Sequence, residues 1–210
     1  MDILKALNWR YAVKEFDSSK KLTEEQEQLL LEATRLSASS YGQQPFKVLV
    51  IKNEDLRQQL VPHSYGQDKV AHASHLFVFA VDTKLSDESV DHFIHLVSKT
   101  RNIPVPELEG LGNMVKSVYQ RLDQESKIQW ATRQAYLALG NLLTVAALQE
   151  IDVCPMEGFD RSAFDQILQL ENKGLKSVVI CTLGFRSEND QLQYAAKVRK
   201  PLNEFVEVIN

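Results

Sequence analysis

Leu76-Phe77-Val78-Phe79-Ala80-Val81 is apolar at every position, with no alternation. A strand with one wet face alternates apolar and polar residues, whereas a run like this is covered on both faces. Val48 to Ile51 and Ser177 to Leu183 read the same way. Helices should therefore flank the sheet on each side, and the long connections between the three runs leave room for them. Thr23-Glu24-Glu25-Gln26 is a capping box, followed by Leu29, Leu30, Ala33 and Leu36 at helical spacing. Asn53, Ser86 and Asp160 are placed to cap three further helices. The longest helix is predicted from about Lys127 to Gln149, with Tyr136 to Leu143 apolar nearly all round. Such a helix belongs in a core or against a partner subunit. After Pro201, the stretch Phe205-Val206-Glu207-Val208-Ile209 alternates briefly and predicts an extended arm, able to join its own sheet or a neighbour's.

A chain of 210 residues, 44% hydrophobic and 25% charged, fits one globular domain spanning 1–210 with a core of its own. With 24 Lys+Arg against 28 Asp+Glu, the net charge of -4 argues against a dedicated nucleic-acid binder. Cys154 and Cys181 lie far apart, which excludes a disulfide framework and a cysteine-based zinc module and fits a reducing compartment. The N-terminus lacks the apolar core of a signal peptide. The most apolar stretch, Ala135 to Leu148, is shorter than the roughly 20 residues of a membrane span. The expectation is a cytoplasmic protein bound to neither membrane nor nucleic acid. Gly110-Leu111-Gly112 lacks the third glycine of a dinucleotide fingerprint, and neither a phosphate loop nor a nucleophile elbow is present. The pairs His72/His75 and His92/His95 have no further ligands nearby in sequence, so no metal site is expected.

The informative feature is basic charge at both ends of an acidic chain. Arg10 and Lys14 stand near one terminus; Lys197, Arg199 and Lys200 stand near the other. Each group alone reads as solvated surface charge. Brought together, they would clamp a dianion, arginine through paired hydrogen bonds and lysine as a point charge. The loop Ser37 to Phe46 is rich in hydroxyls and amides, suited either to a ligand edge or to plain connection. Cys154-Pro155-Met156-Glu157-Gly158-Phe159 reads as a rigid turn into a helix cap, with backbone N–H groups free to face an electron-rich atom.

These segments, in this order, resemble the FMN-dependent nitroreductase family, which includes oxygen-insensitive NAD(P)H nitroreductases and flavin reductases. The resemblance runs through Arg10-Tyr11-Ala12-Val13-Lys14-Glu15-Phe16, Ser39-Ser40 with Gln44-Pro45-Phe46, and Ala73-Ser74-His75. It continues in Gln134-Ala135-Tyr136-Leu137-Ala138-Leu139-Gly140-Asn141, Pro155-Met156-Glu157-Gly158-Phe159 and the Lys197/Arg199 pair. It implies an α+β fold: a three-layer α/β/α sandwich with a mixed central sheet and a C-terminal arm reaching onto a partner subunit. It further implies a homodimer with FMN at the interface.

By that resemblance, Arg10, Lys197 and Arg199 hold the FMN phosphate, with Tyr11 and Ala12 beside them. Lys14 meets the pyrimidine edge of the ring, and Ser39, Ser40 and Gly42 come from the partner. Gln134 contacts the ring or ribityl chain, and Pro155, Glu157 and Gly158 lie along the ring near N5. Lys69 matches a family lysine, whereas Gly42 and Gly66 stand where members often carry Asn. Tyr119 is a candidate for an aromatic gate over the flavin. The implied chemistry is ping-pong hydride transfer from NADH or NADPH through flavin N5 to a nitroaromatic, quinone or similar small-molecule acceptor. The alternatives are a dihydropteridine or flavin reductase on the same fold, or a flavin-binding carrier with little turnover.

Overall fold

The computed structural model describes residues 2–209. Helix α1 (Ile3–Trp9) is followed by an extended stretch and by α2 (Glu24–Arg35), which begins at the expected capping box, Thr23 and Gln26 bonding each other's backbone. Strand β1 (Phe46–Ile51) leads into α3 (Glu54–Leu60), capped by Asn53, and the single-turn α4 (Lys69–His72). Then come β2 (His75–Asp82), α5 (Asp87–Arg101) capped by Ser86, and α6 (Glu109–Gln120). The long α7 (Gln124–Leu148) is capped by Asp123 and starts about one turn before the predicted boundary. Strand β3 (Asp152–Met156), α8 (Arg161–Ile167) capped by Asp160, β4 (Leu175–Gly184) and α9 (Leu202–Phe205) complete the order.

The strands form one sheet in the order β1-β2-β4-β3. Both faces of β2 and β4 are covered, as their unbroken apolar runs require, whereas edge strand β1 is buried only at Ile51. Phe77, Phe79 and Val81 of β2, with Val179, Cys181 and Leu183 of β4, pack under α2, α5, α6 and α7. Leu76, Val78 and Ala80, with Cys154, Met156 and Ile180, pack under α3, α4 and α8. The buried cysteines sit on opposite faces and both are free thiols. Among the described residues, no helix is long and apolar enough to cross a membrane.

Three expectations need correction. The four named strands pair antiparallel throughout, so the parallel part of the expected mixed sheet is confined to one bridge, Ala12 to Val153. Cys154-Pro155-Met156 is strand, not turn. It lies at the sheet edge, paired only with β4, and there a proline lacking N–H is tolerated. Finally, Leu202–Phe205 forms a helical turn, and extended backbone begins only at Val206. The tail stays exposed, Phe205 at 75%.

Candidate active site

α1 ends at Trp9, because Arg10 adopts an extended conformation. Residues 10–14 therefore follow a period of two, not a helical one. Val13 turns into the core, fully buried, while Arg10, Tyr11, Ala12 and Lys14 line one cavity. The C-terminal segment runs alongside. Asp17 N donates to Phe185 O at 2.9 Å and Ser187 N to Glu15 O at 2.9 Å. Arg186 clasps Asp152 with bonds of 2.6 to 3.0 Å, and its guanidinium stacks on Trp9 and Tyr11 at 4.1 and 4.6 Å. Lys197 Nζ donates to Leu7 O at 2.5 Å and to Arg10 O, capping the C-terminus of α1 from the far end of the chain.

The two chain ends thus meet. They enclose a cavity of about 410 Å³ lined by Arg10, Tyr11, Ala12, Lys14, Lys197 and Arg199, among others. Among the described residues, four cations line it and no carboxylate does. The Arg10 Nε is buried and, among the described residues, has no hydrogen-bond partner. Burial and then Arg199 lower the Arg10 pKa; burial, Arg10 and Arg199 do the same for Lys197. Crowded like charges with an unsatisfied donor are the electrostatics of an anion site.

Lys14 also lines a second cleft of about 770 Å³, with Gln67, Asp68, Lys69 and His72 on its opposite wall. Lys69 is only 7% exposed and, among the described residues, its ammonium has no hydrogen-bond or ion-pair partner. That ammonium reaches the cleft, where it can donate to a ligand. Gln67 Nε2 connects this cleft to the expected N5-side turn, donating to Gly158 O at 2.9 Å. On the other side of that turn, Tyr136 OH donates to Glu157 Oε1 at 2.5 Å; burial and then this bond push the Tyr136 pKa up to about 12. Glu157 and Gly158 are therefore fixed from α7 and from the 62–67 segment, and Pro155 by its pairing with β4.

Ser39, Ser40, Gly42 and Gln134 form a separate cluster. Ser40 N donates to Gln134 Oε1 at 2.8 Å, and Gln134 Nε2 donates to Trp130 O at 3.0 Å, so both ends of that amide are engaged. Gly42, at a φ of 72°, rests against Phe93; an added Cβ would come within 3.3 Å of that ring. Its groove shares no lining residue with the two cavities above. Tyr119 is no gate. It is 1% exposed, its ring edge-on to Trp130 at 5.5 Å and its hydroxyl donating to Gln43.

Sequence reasoning missed Asp152, Arg186 and Asp190, which assemble the clamp without lining the cationic cavity themselves. Their partners lie up to 176 positions away, so no local spacing announces them.

A nitroreductase family model matches residues 7–185. A Staphylococcus haemolyticus protein, named provisionally as an NAD(P)H nitroreductase, is 37% identical over 215 residues, covering 99% of this chain and 97% of the relative. A Bacillus subtilis crystal structure with a provisional nitroreductase description is similar at a TM-score of 0.89 and 24% identity, covering 99% of each chain. Another, from Exiguobacterium sibiricum and in complex with FMN, has a TM-score of 0.84 at 19% identity over 100% of this chain and 98% of that one. A match over most of the length, with 37% identity to a relative of nearly the same extent, assigns the family: the chain belongs to the nitroreductases.

Proposed function

We propose that this chain is one FMN-binding domain spanning 1–210, working in the cytoplasm as a homodimeric NAD(P)H oxidoreductase on nitroaromatics, quinones or similar small acceptors. The observation that carries the reading is the carboxylate-free cavity of Arg10, Lys14, Lys197 and Arg199 with its unpartnered Arg10 Nε. That donor set fits a phosphate dianion. When bound, FMN supplies the two-electron chemistry, exchanging hydride with a nicotinamide and an acceptor at its ring.

The chain's own residues hold and polarise. Arg10 and Arg199 provide forked donors for the phosphate. Lys197, already bonded to two carbonyls, contributes charge and fixes the C-terminal segment. Lys14 and Lys69 line one cleft with Glu15, Asp68 and Asp190, so it is the two ammonium groups, not the net charge of the cleft, that would favour a ring gaining electron density on reduction. The turn at Glu157 and Gly158, pinned by Tyr136 and Gln67, would present its backbone to the ring's other edge. Ser39, Ser40 and Gly42 lie outside these cavities, consistent with their serving the partner's site. The exposed apolar side chains of Ile3, Leu4 and Leu137, with those of the tail, offer material for that interface.

The test is an absorbance spectrum of the purified protein, followed by heat release and identification of the chromophore. A flavin spectrum with free FMN released is expected. A colourless protein that also fails to take up added FMN contradicts the proposal.

A further inference from the structure

Among the described residues, only Lys14 and Leu192 line both the cationic cavity and the Lys14–Lys69 cleft. They form the ridge between the two. The amides of both donate to one side chain. Lys14 N lies 2.8 Å from Asp190 Oδ2, and Leu192 N lies 3.0 Å from Asp190 Oδ1. Glu15 N adds a third bond to Oδ2 at 3.2 Å. Asp190 is 3% exposed. Burial alone would push its carboxyl up, but the amides of Lys14, Glu15 and Leu192, joined by the Tyr11 hydroxyl, outweigh burial and hold it below the usual carboxylate value.

Three N–H groups converging from two directions need an acceptor at each end, and a carboxylate has one. The other ties between the chain ends, at Phe185, Ser187 and Lys197, do not touch the amides of Lys14 or Leu192. We infer that Asp190 is a positioning residue: it holds the ridge that fixes the spacing between the phosphate-binding cavity and the cleft that faces the flavin ring. This rests on the cofactor reading above. Through the Lys14 backbone it also fixes where that ammonium departs, so it acts on the flavin by way of Lys14.

The simpler alternative is a cap, since Leu192 N belongs to the helical turn Gln191–Tyr194. A cap alone contributes stability and leaves ligand selection untouched.

The experiment uses the full chain stripped of cofactor, titrated with FMN and with riboflavin by flavin fluorescence, together with the midpoint potential of the bound flavin. In Asp190→Asn one acceptor oxygen is replaced by an NH2 that faces N–H donors, so the ridge is released on one side. The preference for FMN over riboflavin should shrink by about tenfold, the scale of one lost charged hydrogen bond. The potential should fall by about 30 mV, equivalent to a tenfold loss of preference for reduced flavin in a two-electron couple. That shift should vanish when Lys14 is already Met, because the effect runs through Lys14. If Asp190→Asn does not fold, Leu192→Pro removes one donor while leaving the carboxylate, and the same loss of preference is expected. A folded variant with lower Tm but unchanged flavin preference and potential would overturn the inference in favour of the cap. A wild-type protein that binds neither flavin would overturn the cofactor reading and this inference with it.

Discussion

At the scale of single residues, the clamp was legible as charge and the frame around it was not. Arg10, Lys14, Lys197 and Arg199 stand out as basic residues at the ends of an acidic chain. Asp190 and the Arg186–Asp152 pair do not, because an acidic residue in a polar stretch looks the same whether it faces water or gathers three amides. The clamp has a direct consequence. Replacing Arg199 by Ala removes charged donors worth about 1.5–3 kcal/mol, so FMN affinity should fall by about 10- to 100-fold. Riboflavin, which lacks the phosphate, should bind as before. Fluorescence titration of the stripped protein measures both, and equal losses for the two flavins would place Arg199 away from the phosphate.

His75 makes a second prediction at this scale. Its Nδ1 lies 2.8 Å from Ser74 Oγ and its Nε2 3.1 Å from Glu27 Oε2, with Lys52 and Arg57 nearby. Burial is the largest effect and lowers its pKa, despite Glu27 acting in the opposite sense. The unfolded chain then binds the proton more readily. The stability that neutral His75 contributes is complete above its unfolded value of about 6.5 and is lost as pH falls below it. A Tm measured across that range should drop on acidification, and His75→Gln should flatten the drop. The carboxyls of Glu27 and Asp190, held low in the folded protein, add a further loss only at more acidic pH.

At the scale of elements, start signals were readable because they are local, and two-sided burial was readable for β2 and β4 but not for edge strand β1. The caps at Thr23, Asn53, Ser86 and Asp160 each open a helix, and the three apolar runs each became a strand. β3 was missed because it is short, carries Pro155 and draws its partners from β4 alone on the sheet side. Asp123, the cap of α7, lay beyond the reach of the apolar pattern that marks the helix. Asp123→Ala should lower the Tm, because the Ser126 amide loses its cap, while leaving flavin affinity unchanged. Gly184 closes β4 where an added Cβ would meet Phe16 at 3.0 Å and the Ser74 backbone at 3.1 Å. Gly184→Ala should destabilise by about 1–3 kcal/mol, read as a lower Tm in thermal unfolding.

At the scale of the whole molecule, the sequence pattern indicated three layers but not how the chain ends would meet; that required the 15–17 backbone to bond the 185–187 backbone. The exposed apolar residues Val198, Leu202, Phe205, Val208 and Ile209 of the tail leave more hydrophobic surface than a monomer ordinarily carries in one segment. Light scattering after size exclusion should give twice the chain mass, and truncation after Lys200 should weaken the dimer and its hold on FMN together. The most direct measurement follows the spectrum of the purified protein under anaerobic conditions while NADH or NADPH is added, and then a quinone or nitroaromatic. The expected result is a flavin absorbance that bleaches with the nicotinamide and returns with the acceptor. A bound flavin that neither nicotinamide reduces would contradict it.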